Sequence, residues 1–227
     1  MKTPLILLHG ALGAAAQFEK LAKELSDYYE VHVPNLPGHG GTRMPDESFS
    51  IALFADALAG YIRTNDLEQP SIFGYSMGGY VAMYLARHFP NMPGNIITLG
   101  TKFHWDAPTA ARELKMLDPG TIETKVPAFA SALATLHAPN DWKEVVHNTA
   151  LMLEEMGRHN PLSLDDYKDI KSPSLIMLGD RDKMVTLDET AAVYRQLPAA
   201  QMAVLPGTPH PIEQVEVELL SGMIGRV

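Results

Sequence analysis

"IFGYSMGGYVA", residues Ile72 to Ala82, sets one aliphatic hydroxyl, that of Ser76, among three glycines, with an apolar run before it and another after it. Glycine packs nothing and loses the most backbone freedom on folding, so its repeated use here needs a reason. Gly74 to Gly78 fits the pattern G-x-S-x-G, and the flanking runs read as a strand entering the turn and a helix leaving it. A turn that sharp crowds the residues two before and two after the serine, where side chains would collide. It also lifts the hydroxyl clear of the strand and sets the Met77 amide at a helix N-terminus, a place that favours developing negative charge.

Working outward, six short apolar runs read as buried strands: 4–8, 30–34, 71–75, 95–100, 174–179 and 201–206, most of them closed by Gly or Pro. Segments of helical spacing lie between several of them, such as Ile51, Phe54, Ala55, Leu58, Tyr61 and Ile62. Alternating strands and helices predict an α/β fold, a doubly wound and mostly parallel sheet of about six strands that binds ligands at the carboxyl ends of its strands. The interval 102–172 breaks the alternation, with at least three helical pieces and no strand. In "WKEVVHNTALMLEEMG", Trp142, Val145, Val146, Thr149, Met152, Leu153 and Met156 share a face. The chain therefore divides into a core of 1–101 with 173–227 and a helical cap of 102–172, placed to act as a lid.

Composition narrows the function. Of 227 residues, 46% are hydrophobic and 20% charged, ordinary for a globular chain, and the length suits one domain with an inserted subdomain. A net charge of -9 disfavours nucleic acid or an anionic membrane as partner. The absence of cysteine removes disulfides, thiolate metal sites and a cysteine nucleophile. The first apolar run breaks at His9-Gly10, too short for a secretory leader or a membrane span, so a cytoplasmic monomer or homodimer is expected.

A serine hydroxyl is a weak nucleophile until a base takes its proton. Among nine histidines, His210 in "LPGTPHP" follows the last strand and precedes Pro211, a suitable first residue for a closing helix. His9 ends the first strand, His39 lies in the loop "NLPGHGGT", and His88 falls late on the helix after Ser76. The others, His32, His104, His137, His147 and His159, read as structural or solvent-facing, with His104 the best candidate for one polar substrate contact. The carboxylate lies in "LIMLGDRDKMV", where Asp180 and Asp182 compete. Asp182 is favoured because its position allows a return toward His210, whereas Asp180 suits a turn.

"LLHGALG", "PNLPGHGGT", "GYSMGG", "GDRDKMV" and "PGTPHP" together resemble, in order and over nearly the whole chain, the successive motifs of the α/β-hydrolase fold superfamily. That resemblance implies Ser76 as nucleophile, Asp182 as acid, His210 as base, and an oxyanion hole from the Ala11 and Met77 amides, with Leu12 as fallback donor. It also implies a helical lid after the family's sixth strand. Two departures stand out: the chain opens on what resembles the family's third strand, the first two being missing, and Asn35 occupies a position where the family often has Asp.

The implied reaction is acyl transfer without metal or organic cofactor on a small molecule, a small or medium carboxylic ester. The serine sets the chain apart from dehalogenases and epoxide hydrolases of this fold, which use an aspartate nucleophile. Phe103, Trp105, Leu114, Met116, Phe129, Leu133, Leu136, Met152 and Met156 offer an apolar set for the pocket. Leu12, Phe103, Trp105 and Met152 are the residues expected against substrate. Carbon–carbon hydrolysis, or an elimination as in the menaquinone-pathway lyase, is the enzymatic alternative; such anionic substrates would need Lys102, Arg112 or Lys115 facing the pocket. A ligand sensor that retains the triad is the alternative of another class.

Overall fold

The computed structural model describes residues 2–226. The chain runs β1 (Thr3–Leu8), α1 (Glu19–Leu25), β2 (Tyr29–His32), α2 (Ile51–Thr64), β3 (Ser71–Tyr75), α3 (Met77–His88) and β4 (Ile96–Leu99). Four helices follow, α4 (Ala107–Leu114), α5 (Pro119–Lys125), α6 (Pro127–His137) and α7 (Trp142–Arg158), and then β5 (Ser174–Gly179), α8 (Leu187–Gln196), β6 (Ala200–Leu205) and α9 (Val217–Ile224). All six strands pair parallel in the order β2-β1-β3-β4-β5-β6.

Burial on both faces explains why the central strands read as unbroken apolar runs. Leu5, Ile6, Leu7 and Leu8 are all fully buried, and side chains alternate across the sheet. Ile6, Leu8, Ile72, Ile96 and Ile176 pack under α2, α3 and α8, while Leu5, Leu7, Phe73, Ile97 and Leu175 pack under α1 and α9. The helix α2 starts where Ser50 accepts a hydrogen bond from the Leu53 amide at 3.0 Å, and it buries Ile51, Phe54, Ala55, Leu58 and Ile62.

The order of the strands places the site. After β1 the chain steps outward to β2, then returns to the other side of β1 as β3, so the order in which strands are added reverses between β1 and β3. Crevices open at the carboxyl ends of strands where the order reverses. Leu8 lies opposite Gly74 in the ladder, which sets the loop after β1, His9 to Ala11, beside the turn after β3 that carries Ser76. The helices α4 to α7 lie between β4 and β5, and α7 buries the seven residues that share a face in the sequence. A side chain on Gly157 of α7 would stand 2.5 Å from the Ala110 Cβ of α4, so only glycine permits that close crossing. The end of the chain departs from expectation: Pro211 (ψ 124) is extended and leads into a short 3-10 turn, and the closing helix α9 starts only at Val217.

Candidate active site

Ser76 has φ 51 and ψ -117, a conformation that L-residues rarely hold unless their surroundings impose it. Those surroundings are specific. The Ser76 amide donates to the Leu99 carbonyl at 2.9 Å, and the Ser76 carbonyl accepts from the Gly79 amide at 3.0 Å and from Thr101 Oγ1 at 3.0 Å. A Cβ on Gly74 would lie 2.4 Å from the Gly78 backbone, and one on Gly78 would lie 2.4 Å from the Leu8 carbonyl oxygen. The glycines are therefore a steric requirement of the turn.

The loops after β5 and β6 deliver the other two groups. His210 Nδ1 and Asp182 Oδ2 are 2.7 Å apart, and both side chains are nearly buried. The second oxygen of Asp182 accepts from the Met184 and Val185 amides at 2.8 and 2.9 Å. Burial alone would raise the Asp182 pKa, but the hydrogen bond to His210 and the two amides outweigh it and hold the carboxyl below its ordinary value. With both carboxylate oxygens engaged as acceptors, Nδ1 of His210 carries the proton and Nε2 is left as the basic nitrogen. Asp180 is occupied otherwise: its Oδ1 accepts from the Thr208 amide at 3.2 Å and ties the loops after β5 and β6 together.

A small cavity of about 80 Å³ brings Ser76 and His210 to one wall together with Ala11 and Met77. Among the described residues neither the Ala11 nor the Met77 N–H donates to any protein acceptor, and Met77 is the first residue of α3. Two unengaged amides beside a hydroxyl are suited to an oxyanion. Ile51, Tyr80, Trp105, Leu153, Met156, Met184 and Val185 make the remaining wall largely apolar, and Lys102 and Glu113 add the charged groups.

Of the residues expected against substrate, Trp105 lines the cavity, its Nε1 donating to the Lys102 carbonyl at 3.1 Å. Leu12, Phe103 and Met152 do not. Phe103 turns away to meet Tyr167 edge-on at 5.7 Å, Met152 is consumed in the core, and Leu12 bridges the core to a small cluster of Ile122, Leu133, Trp142 and Val146. His104 also misses the cavity: it is exposed and pairs with Asp106 at 3.2 Å. Met116 and Phe129 face solvent. Glu113 and Tyr80 are wall residues that the sequence reading missed. The signal for Glu113 was its helical spacing from Thr109 and Ala110, which puts it on the buried face of α4.

Behind the loop after β1 lies a buried cluster of three imidazoles. The rings of His9 and His39 are 5.1 Å apart, and those of His39 and His137 are 5.6 Å apart. His9 Nε2 accepts from the Leu36 amide and its Nδ1 donates to the Gly10 carbonyl; His137 Nδ1 accepts from the Gly40 amide and its Nε2 donates to the Leu12 carbonyl. The end of α6 is thereby bonded to the loop that carries Ala11. Asn35 supports the same region, accepting from the Ala15 amide at 2.7 Å and donating to the Gly40 carbonyl at 3.2 Å. An aspartate at that position could accept the first bond but not donate the second.

Burial holds these rings neutral, pushing His9 from the ordinary 6.5 down to about 4 and His39 down to about 3, with His137 lowered as well. Because the folded values lie below the unfolded ones, the unfolded chain binds more protons below pH 6.5. The stabilisation is full above that pH and is lost as pH falls toward the folded values. His9 alone is worth about 3 kcal/mol across that window. Urea midpoints should therefore fall steadily from pH 7 to pH 4.5; a flat profile would show that the rings do not stay neutral on burial.

A family model described as "Alpha/beta hydrolase family" matches residues 5–217. The chain is 24% identical over 236 residues to a 2-(acetamidomethylene)succinate hydrolase of Mesorhizobium japonicum, covering 95% of this chain and 84% of that one. It is also 24% identical over 239 residues to a pimeloyl-[acyl-carrier protein] methyl ester esterase of Aeromonas hydrophila, covering 94% and 92%. The structure of a 2-hydroxy-6-oxo-6-phenylhexa-2,4-dienoate hydrolase from a Rhodococcus species superposes with a TM-score of 0.80 at 19% identity, covering 99% of this chain and 90% of that one.

Proposed function

The chain belongs to the alpha/beta hydrolase family, and from that premise we propose that it is a serine hydrolase that cleaves small carboxylic esters through an acyl-enzyme intermediate. Ser76 attacks the ester carbonyl while His210 Nε2 takes its proton, and Asp182 keeps the imidazole in the tautomer that leaves Nε2 free. The oxyanion forms against the Ala11 and Met77 amides, each worth about 2.7 to 4 kcal/mol in the transition state. His210 protonates the departing alcohol, then activates the water that releases the acid. In the same reading, 102–172 forms the lid over the site.

The observation that carries this reading is the shared cavity: Ser76 at φ 51, His210 with Nδ1 committed to Asp182, and two unengaged amides border one space. Its volume of about 80 Å³ is well under the roughly 300 Å³ where ordinary ligand pockets begin, which favours a short acyl group. Carbon–carbon hydrolysis would use the same serine chemistry, with Lys102, among the described residues the one lysine or arginine on the wall, receiving an anionic substrate. Glu113 stands beside Lys102, and Arg112 and Lys115 are exposed, so the ester reading ranks first. The test is hydrolysis of p-nitrophenyl esters of graded acyl length. Saturable turnover with an optimum between acetate and butyrate and a steep fall by octanoate is expected. Inactivity across the series would remove the ester reading.

A further inference from the structure

We propose that Lys102 and Glu113 form a specificity subsite that recognises a neutral hydrogen-bonding group on the substrate, a hydroxyl or a carboxamide, and disfavours both a plain alkyl chain and a free carboxylate. This rests on the serine-hydrolase reading above and names the substrate class of that same cavity.

The two side chains reach the cavity from different elements. Lys102 follows β4 at the entrance to the helical segment, and Glu113 lies on the buried face of α4. Both are 11% exposed, both line the space that Ser76 and His210 line, and Lys102 Nζ stands 3.5 Å from Glu113 Oε1. The ammonium also donates to the Met184 carbonyl, in the loop that holds Asp182. Glu113, by contrast, receives no hydrogen bond from any described residue, and its separation from Lys102 is longer than the roughly 2.7 to 2.9 Å of a strong charge-assisted bond. A carboxylate has about four acceptor sites, and the contact with Lys102 engages at most one of them, so the others are open to a donor on a molecule that enters the cavity.

The charges determine the kind of group. A substrate carboxylate attracted to Lys102 would meet Glu113 at almost the same distance, and a substrate ammonium would meet the reverse conflict. A hydroxyl or carboxamide can donate to Glu113 and accept from Lys102 at once, whereas an alkyl chain displaces water from the pair and gives Glu113 no donor in return. If the pair served only to fasten α4 to the core it would be poorly suited to the task, because a buried ion pair adds little net stability.

The experiment measures acid release from methyl butyrate, methyl 3-hydroxybutyrate, methyl succinamate and monomethyl succinate in a pH-stat at pH 7. For the wild type, kcat/KM for the hydroxybutyrate and the succinamate should exceed that for butyrate and for monomethyl succinate by about 10-fold or more. Glu113→Gln leaves Lys102 without its counter-charge and should move the ranking toward monomethyl succinate by a similar factor. Equal or faster turnover of methyl butyrate by the wild type would overturn the subsite, as would a wild-type preference for monomethyl succinate. A variant whose ranking matched the wild type, with only its melting temperature changed, would make the pair a structural fastening and overturn the proposal too. The wild-type ranking decides the matter if the variant fails to fold. Absence of turnover for all four methyl esters and for every p-nitrophenyl ester is a separate result, which removes the ester-hydrolase reading itself.

Discussion

Replacing Ser76 with alanine is expected to lower turnover of a p-nitrophenyl ester about a million-fold, with KM little changed. The fold should survive the change, because what holds residue 76 at φ 51 is backbone: its amide on the Leu99 carbonyl, and its own carbonyl on Gly79 and Thr101. Alanine is asked for the same dihedrals as serine and keeps the Cβ that Gly10 packs beside. The loss is therefore chemical, and a residual rate of about 10³ to 10⁴ over water should persist from the oxyanion donors and binding alone. His210→Ala should cost about as much, and the double variant little more, because neither group acts without the other. Turnover by Ser76→Ala within tenfold of wild type, at matched folded concentration, would mean that the hydroxyl is not the nucleophile.

The strands were legible because the central ones are continuous apolar runs and most of the six are closed by a breaker. Where the breaker is ambiguous the boundary moved: β2 stops at His32 rather than Pro34, and β4 stops at Leu99 because Gly100 already turns with φ 60. Closeness of Ser76, Asp182 and His210 was legible from a different property, the rule that loops at the carboxyl ends of parallel strands share one side of the sheet. The cavity wall was not legible. An apolar residue in 102–172 is equally suited to fill the core or to line a pocket, and only the packing of helix against helix decides. Phe103 and Met152 go to the interior while Trp105, Leu153 and Met156 reach the cavity. Glu113 escaped for the opposite reason, since a charged residue on an amphipathic helix is ordinarily solvated.

The same packing links the helical segment 102–172 to the loops around the cavity. His137, at the end of α6, donates to the carbonyl of Leu12, which itself has φ 57, next in the chain to the Ala11 amide that borders the cavity. Asn140 donates to the Gly38 and Thr42 carbonyls in the loop after β2, so the helical segment is fastened on the side where β1 and β2 end. On the other side Lys102 and Glu113 meet near Met184. The cavity thus lies between a set of hydrogen bonds on one side and this charged pair on the other, with apolar side chains between them.

Asp182→Asn is expected to lower kcat by about 10⁴-fold while leaving the fold in place. The two oxygens of Asp182 have unlike partners: Oδ1 faces the Met184 and Val185 amides at 2.8 and 2.9 Å, and Oδ2 faces His210 Nδ1 at 2.7 Å. Asparagine has one acceptor oxygen. Two backbone donors hold it at the Oδ1 position, so the amide nitrogen must face His210. Two N–H donors cannot meet, and the imidazole proton moves from Nδ1 to Nε2, the nitrogen that receives the proton of Ser76 in the proposed reaction. The variant should therefore bind ester normally and fail at proton transfer, with the Nδ1 proton resonance of the wild type absent from its NMR spectrum. Asp180→Asn provides the comparison, because Asp180 accepts from the Thr208 amide at 3.2 Å, where an amide oxygen can replace it, and its other contact is an exposed one to Arg181 at 3.8 Å. If Asp180→Asn lost as much kcat as Asp182→Asn, the orienting role would belong to the loop as a whole; a 10⁴-fold loss confined to Asp182 would assign it to the tautomer of His210.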